Sequence, residues 1–155
     1  DRFQWILDTD IKINKIASSM IEWDLDFCRD MVGDGMLTYC SLGKWDKDEY
    51  PFKSSNVKYF HCVAKYPHTE EEALDLMPEK FDNVLVGYSD HSIGIAAPIR
   101  PFMRGAKILE KHFSNNIFAQ NKFEGGHLGS FDKNSLEDCV KLVKQLKILE
   151  ENSDW

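Results

Sequence analysis

A chain of 155 residues, 43% of them hydrophobic, has enough apolar surface for one buried core and predicts a single domain over residues 1–155. Nineteen basic against 26 acidic residues leave a net charge of −7 with no Lys/Arg stripe, which argues against nucleic acid as a partner. No apolar run approaches the roughly 20 residues of a membrane span, and Asp1-Arg2-Phe3-Gln4-Trp5 lacks the charged and apolar regions of a signal peptide, so a soluble, cytoplasmic protein with no membrane partner is expected.

In chain order, residues 1–7 have helical character, and five apolar or β-branched runs of strand length follow, at 11–17, 36–40, 57–62, 84–88 and 106–110. Between them, 23–31, 69–77 and 93–103 read as helices, and 135–149 as a last one. In the last segment Leu136, Cys139, Val140, Val143, Leu146 and Leu149 recur at helical spacing, which predicts an amphipathic helix covering a sheet. Ser135 with Asp138 three residues on is its predicted capping start, and Glu70, Glu71 and Glu72 after Thr69 put acids where a helix dipole favours them. Cys28, Cys40, Cys62 and Cys139 form no C-x-x-C pair and are expected as buried thiols, and Trp23, Trp45 and Phe52 as packing residues. Strands alternating with helices predict βα units around a parallel sheet. Five strands suit an open doubly wound sheet, yet Gly33-Asp34-Gly35 precedes its strand instead of following one, and a closed barrel needs eight.

In either sheet, ligands meet the carboxyl ends of the strands. The residues there are polar: Lys15 and Ser18; Ser41 and Lys44; His61 and Tyr66; Ser89, Asp90 and His91; Glu110, Lys111 and His112. His91 and His112 are one βα unit apart, so they would face one mouth, where two neutral imidazoles can hold a divalent ion with water or substrate oxygens. Spacing alone leaves that reading behind ordinary hydrogen-bonded packing. Asp90 and Glu110 are further candidates, as ligands or as groups orienting the imidazoles. Lys15 reads either as an anion anchor or as a snorkelling surface lysine. Gly125-Gly126-His127 lies in a polar loop long enough to fold over the mouth, with His127 expected to be exposed.

The stretch Gly87-Tyr88-Ser89-Asp90-His91-Ser92-Ile93-Gly94-Ile95-Ala96-Ala97-Pro98, followed by Gly105-Ala106-Lys107-Ile108-Leu109-Glu110-Lys111-His112-Phe113, closely resembles the sialic acid synthase family, which includes the legionaminic and pseudaminic acid synthases. Lys15-Ile16-Ala17-Ser18, Phe60-His61-Cys62 to Tyr66-Pro67 and Ser41-Leu42-Gly43 resemble earlier strand ends of the same family. The resemblance implies strands four to eight of a (β/α)8 TIM barrel with their helices. The first three strands and the family's small antifreeze-like C-terminal domain have no counterpart here.

The implied activity is condensation of phosphoenolpyruvate with an N-acetylated amino sugar, N-acetylmannosamine or a relative, to a nonulosonic acid, with Mn2+ or Mg2+ as cofactor. Carried over by position, the metal ligands fall on His91 and His112; Lys15, Ser18, Ser41 and Ser89 bind phosphoenolpyruvate; Tyr66 contacts the sugar; and Glu110 and Lys15 are the catalytic pair. Met20 stands where the family has a catalytic glutamate, Ala64 where an asparagine is usual, and the loop at Gly126 lacks an aspartate. This chain by itself is therefore expected to be inactive; the alternative reading is a catalytically silent metal- or anion-binding barrel remnant. Five strands of a barrel leave two open edges and uncover residues such as Ile13, Ile16, Leu37, Tyr59, Val84, Val86, Ile108 and Leu109, so a homo-oligomer is expected.

Overall fold

The computed structural model describes residues 4, 8–115 and 128–152. Five strands, β1 (Ile13–Ile16), β2 (Leu37–Ser41), β3 (Val57–Cys62), β4 (Leu85–Asp90) and β5 (Ile108–Lys111), carry branched and aromatic residues that suit a half-buried pleated surface. They pair in parallel in chain order, β1-β2-β3-β4-β5, with helices in three of the four connections and none between β2 and β3, and form the half-barrel expected of a partial (β/α)8 fold. The register slips once: Tyr59 pairs with Leu85 but Phe60 with Gly87. A Cβ on Gly87 would lie 2.6 Å from the Ile108 carbonyl oxygen and 2.9 Å from the Phe60 ring, so only glycine lets three strands close up there.

The expected strand at 11–17 shrinks to β1, with Ile11 47% and Ile13 45% exposed, because an edge strand has a neighbour on one side only. The expected helix at 23–31 is two, α1 (Ser18–Trp23) and α2 (Leu25–Gly33). Asp24 breaks the run with φ −151° and caps α2 by accepting the Phe27 amide at 3.1 Å. Helix α3 (Glu70–Asp75) starts on a reciprocal cap: the Glu72 amide donates to the Thr69 hydroxyl at 3.2 Å, and the Thr69 amide to the Glu72 carboxylate at 3.0 Å. The long helix expected at 93–103 is instead a short α4 (Ala96–Ile99) and a 3-10 turn, Phe102–Arg104; Pro101 brings no amide hydrogen, and Gly105 at φ 91° ends the turn. The last helix, α5 (Lys133–Glu151), is capped by Asp132, three residues before the expected Ser135, which serves as the reciprocal partner at N3. Of the residues at 1–7 only Gln4 is described, so the predicted helix there lies outside the described residues.

The core has two parts. Ile16, Ile21, Cys28, Met31, Cys40, Phe52, Val57 and Tyr59 fill the first, and Met77, Phe81, Tyr88 and Ala106 the second. The buried Tyr59 hydroxyl donates to the Phe52 carbonyl at 2.7 Å and accepts its amide at 3.2 Å, so the polar tip is satisfied. Phe52 packs as expected and Trp45 lies against the same cluster, but Trp23 is 79% exposed at the end of α1. Of the residues expected to be uncovered, Ile13 and Val84 are exposed, whereas Ile16, Tyr59 and Val86 are buried by packing on the sheet. All four cysteines are buried free thiols; burial pushes Cys28 and Cys62 up to about 11 and Cys40 to about 12, which makes them inert. On α5 only Cys139 is buried, so the sheet-covering role expected for its apolar stripe is met in part. Among the described residues, no helix is long and apolar enough to cross a membrane.

Candidate functional site

Parallel strands bring their carboxyl ends to one rim, and a cavity of about 260 Å3 opens there. Lys15, Ser18, Ser41, Tyr66, Ser89, His91, Glu110 and His112 all line it, so the structure brings together every predicted site residue. Lys44 and Ala64 line it too, together with Ser19 and Cys62, which nothing in the local pattern distinguished. The loop at Gly125, Gly126 and His127 lies outside the described residues.

On one side of the cavity the half-barrel's curl brings its first and last strands together. The Lys15 ammonium, on β1, lies 3.1 Å from the Glu110 carboxylate on β5 and donates to the Ser41 hydroxyl at 2.9 Å and to the Ile16 carbonyl at 3.2 Å. Ser41 in turn reaches Glu110 at 3.5 Å. With side chains 31% and 40% exposed, this ion pair is open to solvent, and an incoming anion can take the lysine from the glutamate at little cost. Hydrogen bonds from Ser89 and Ser18 lower the Cys62 thiol, yet burial outweighs them and keeps it protonated.

The other side is drier. His91 sits with Nδ1 3.1 Å from the Val63 carbonyl, which can only accept, so Nδ1 carries the proton and Nε2 the lone pair. Nε2 accepts from the Tyr66 hydroxyl at 2.6 Å, the two rings lying 3.9 Å apart between centroids. Burial is the main cause that holds His91 down at about 4, against the raising pull of the Val63 bond. Burial also pushes the Tyr66 phenol up to about 12, so it remains a donor. The His112 ring stands 5.7 Å from His91 and 6.0 Å from Tyr66.

The two imidazole ring centroids lie 5.7 Å apart, near enough for both rings to approach one ion. No group of three His, Cys, Asp or Glu side chains forms a metal cage among the described residues. The donor set thus fits an ion with two protein nitrogens and oxygens of water or substrate in the other positions. Tyr66 would have to release His91 Nε2 first.

Three placements differ from the reading of strand ends. His61 turns away from the rim, because its neighbour Cys62 lines the cavity and successive side chains alternate. It stacks on Tyr88 at 5.8 Å, and burial holds it down at about 4. Asp90, in the cavity wall, commits its carboxylate to Lys111 and to the Ser92 hydroxyl. Met20 packs against the first core cluster and not into the cavity.

The profile of the NeuB family matches residues 1–153. N,N'-diacetyllegionaminic acid synthase of Legionella pneumophila is 31% identical over 95 residues, which are 59% of this chain and 26% of that protein. Pseudaminic acid synthase of Campylobacter jejuni is 38% identical over 65 residues, 39% of this chain and 19% of that protein. The solved structure of N-acetylneuraminic acid (sialic acid) synthetase from Leptospira borgpetersenii superposes with a TM-score of 0.75 at 23% identity, covering 99% of this chain and 56% of that one. The chain thus spans about a quarter or less of the length of these two relatives, and about half of the solved neighbour.

Proposed function

This chain belongs to the NeuB family, and on that premise we propose that it is the metal- and phosphoenolpyruvate-binding part of a cytoplasmic synthase. The intact protein would join phosphoenolpyruvate to an N-acetylated amino sugar, N-acetylmannosamine or a relative, to make a nonulosonic acid. The observation that carries the reading is the convergence of eight polar residues from five strand ends on one cavity. Lys15 and the hydroxyls of Ser18, Ser41 and Ser89 offer a cation and short donors, which suit the phosphate and carboxylate of the enol substrate. Glu110, 3.1 Å from the Lys15 ammonium, would hold or return a proton there. Tyr66 would contact the sugar with its hydroxyl once that group leaves His91 Nε2. His91 and His112 would hold Mn2+ or Mg2+, which supplies Lewis-acid polarisation of the sugar's aldehyde oxygen when bound.

The chain alone is proposed to turn over negligibly and to associate with itself through its open β1 and β5 edges. Two observations favour a second reading, a silent metal- or anion-binding remnant: Met20 packs against the core, and Ala64 offers the cavity only a methyl group. Phosphate release from phosphoenolpyruvate with N-acetylmannosamine and Mn2+ separates the two. Turnover by the intact protein supports the synthase, while binding of phosphoenolpyruvate without release supports the remnant. A rate on the order of 1 s⁻¹ or more from this chain alone would refute its proposed inactivity.

A further inference from the structure

In the wall of the cavity lies a buried ion pair to which the proposed function gives no part. Asp90 and Lys111 are register partners on β4 and β5, with side chains 0% and 3% exposed. The Lys111 ammonium donates to the Asp90 carboxylate and, at 2.7 Å, to the Ser92 carbonyl, and lies 4.8 Å from the Phe131 ring centroid. The Ser92 hydroxyl donates to both Asp90 oxygens at 2.9 and 3.0 Å, and the Ser92 amide reaches one of them at 3.3 Å. One ammonium therefore grips the residues immediately before and after His91, and it does so from the residue immediately before His112.

Stability is a poor explanation for such a pair. Removing two charges from water costs several kcal/mol per ion, and well-packed apolar residues in place of a buried pair are often neutral or stabilising. Directional bonds accomplish what apolar packing cannot: they fix how far apart two neighbouring strand ends sit and how the next residues are aimed. Outer groups that orient metal-binding histidines are typically worth 10- to 100-fold in affinity.

We infer that Lys111, with Asp90 and Ser92, is a positioning set that fixes the separation and aim of the His91 and His112 imidazoles. The inference rests on the reading of that pair as the metal site, but it is testable apart from it. Asp90 and Lys111 also line the cavity wall, and the set acts through the backbone on both sides of His91.

The test compares the unmodified chain with Lys111→Met and with the double variant Asp90→Leu, Lys111→Met. Thermal unfolding, the NMR shifts of the His91 ring protons without metal, and Mn2+ calorimetry are the readouts. Lys111→Met strands a buried carboxylate and lowers the melting temperature, and the double variant recovers most of that loss. In the double variant the upfield displacement that Tyr66, 3.9 Å away, imposes on the His91 ring protons disappears, and Mn2+ affinity stays about 10- to 100-fold lower. Parental His91 shifts and parental affinity in a stable double variant would overturn the inference and leave a merely structural ion pair. If the unmodified chain binds no Mn2+, the metal reading fails, and the His91 shifts still decide the positioning role. Should the double variant not fold, Asp90→Asn carries the same test: displaced His91 shifts support the inference, and parental ones refute it.

Discussion

On the Lys15 side of the cavity, the ion pair with Glu110 is about one-third exposed and spans strands from opposite ends of the sheet. On the His91 side, the imidazole is 9% exposed, its tautomer is set by the Val63 carbonyl, and the buried Asp90–Lys111 pair flanks it in the cavity wall. The contrast separates two jobs. A solvated, loosely held cation exchanges one anion for another, whereas a dry imidazole keeps its lone pair and its direction.

Acid should expose the difference most strongly. His91 and His61 are held down at about 4, burial being the main cause, against an ordinary value near 6.5. Between those pH values the unfolded chain binds protons that the folded chain does not, so stability falls as the pH drops through that window and is level above it. Each histidine should contribute on the order of 3 kcal/mol to the loss. Urea unfolding between pH 7 and 4 measures it, and an unchanged midpoint would show that these rings are not dry.

His91→Ala should lower Mn2+ affinity by at least about 100-fold, beyond what orienting groups contribute; titration indistinguishable from the parent would remove His91 from the metal site. Tyr66→Phe should act in the opposite direction. Its hydroxyl occupies the His91 lone pair at 2.6 Å, and releasing a hydrogen bond worth about 0.5–1.5 kcal/mol should tighten Mn2+ binding roughly two- to tenfold. Weaker binding in calorimetry would mean that the tyrosine supports the metal instead of competing with it.

The smallest effect on stability belongs to the exposed side. Lys15→Met should cost less than about 1 kcal/mol, since solvent screens the pair with Glu110. It should nonetheless abolish detectable phosphoenolpyruvate binding by the chain. A large drop in melting temperature would show that the Lys15 cluster is structural, and the contrast between the two sides would collapse. Light scattering supplies a check on assembly: self-association is expected, and a monomer of 18.0 kDa at micromolar concentration would show that the open edges are otherwise covered.

The alternation of apolar runs, the polar residues closing each run and the one-unit spacing of His91 and His112 are local properties, so they could be read from the chain. Element ends were less legible. Asp24 splits one helix and Pro101 shortens another because single side chains or missing amides override periodicity. Trp23 looks like a core residue by type, but its place at the end of α1 leaves it in solvent.

What the sequence alone determined is therefore the βα order, the buried cysteines and the membership of eight residues in one rim. Each of these depends on neighbours a few residues away, or on the rule that parallel strands end together. Only the tertiary structure decided that Lys15 reaches Glu110, that His61 faces away from the cavity, that Met20 joins the core, and that Lys111 grips both sides of His91. Those outcomes depend on the curl of the sheet and on the phase of each strand's alternation, which are set by packing between residues far apart in the chain.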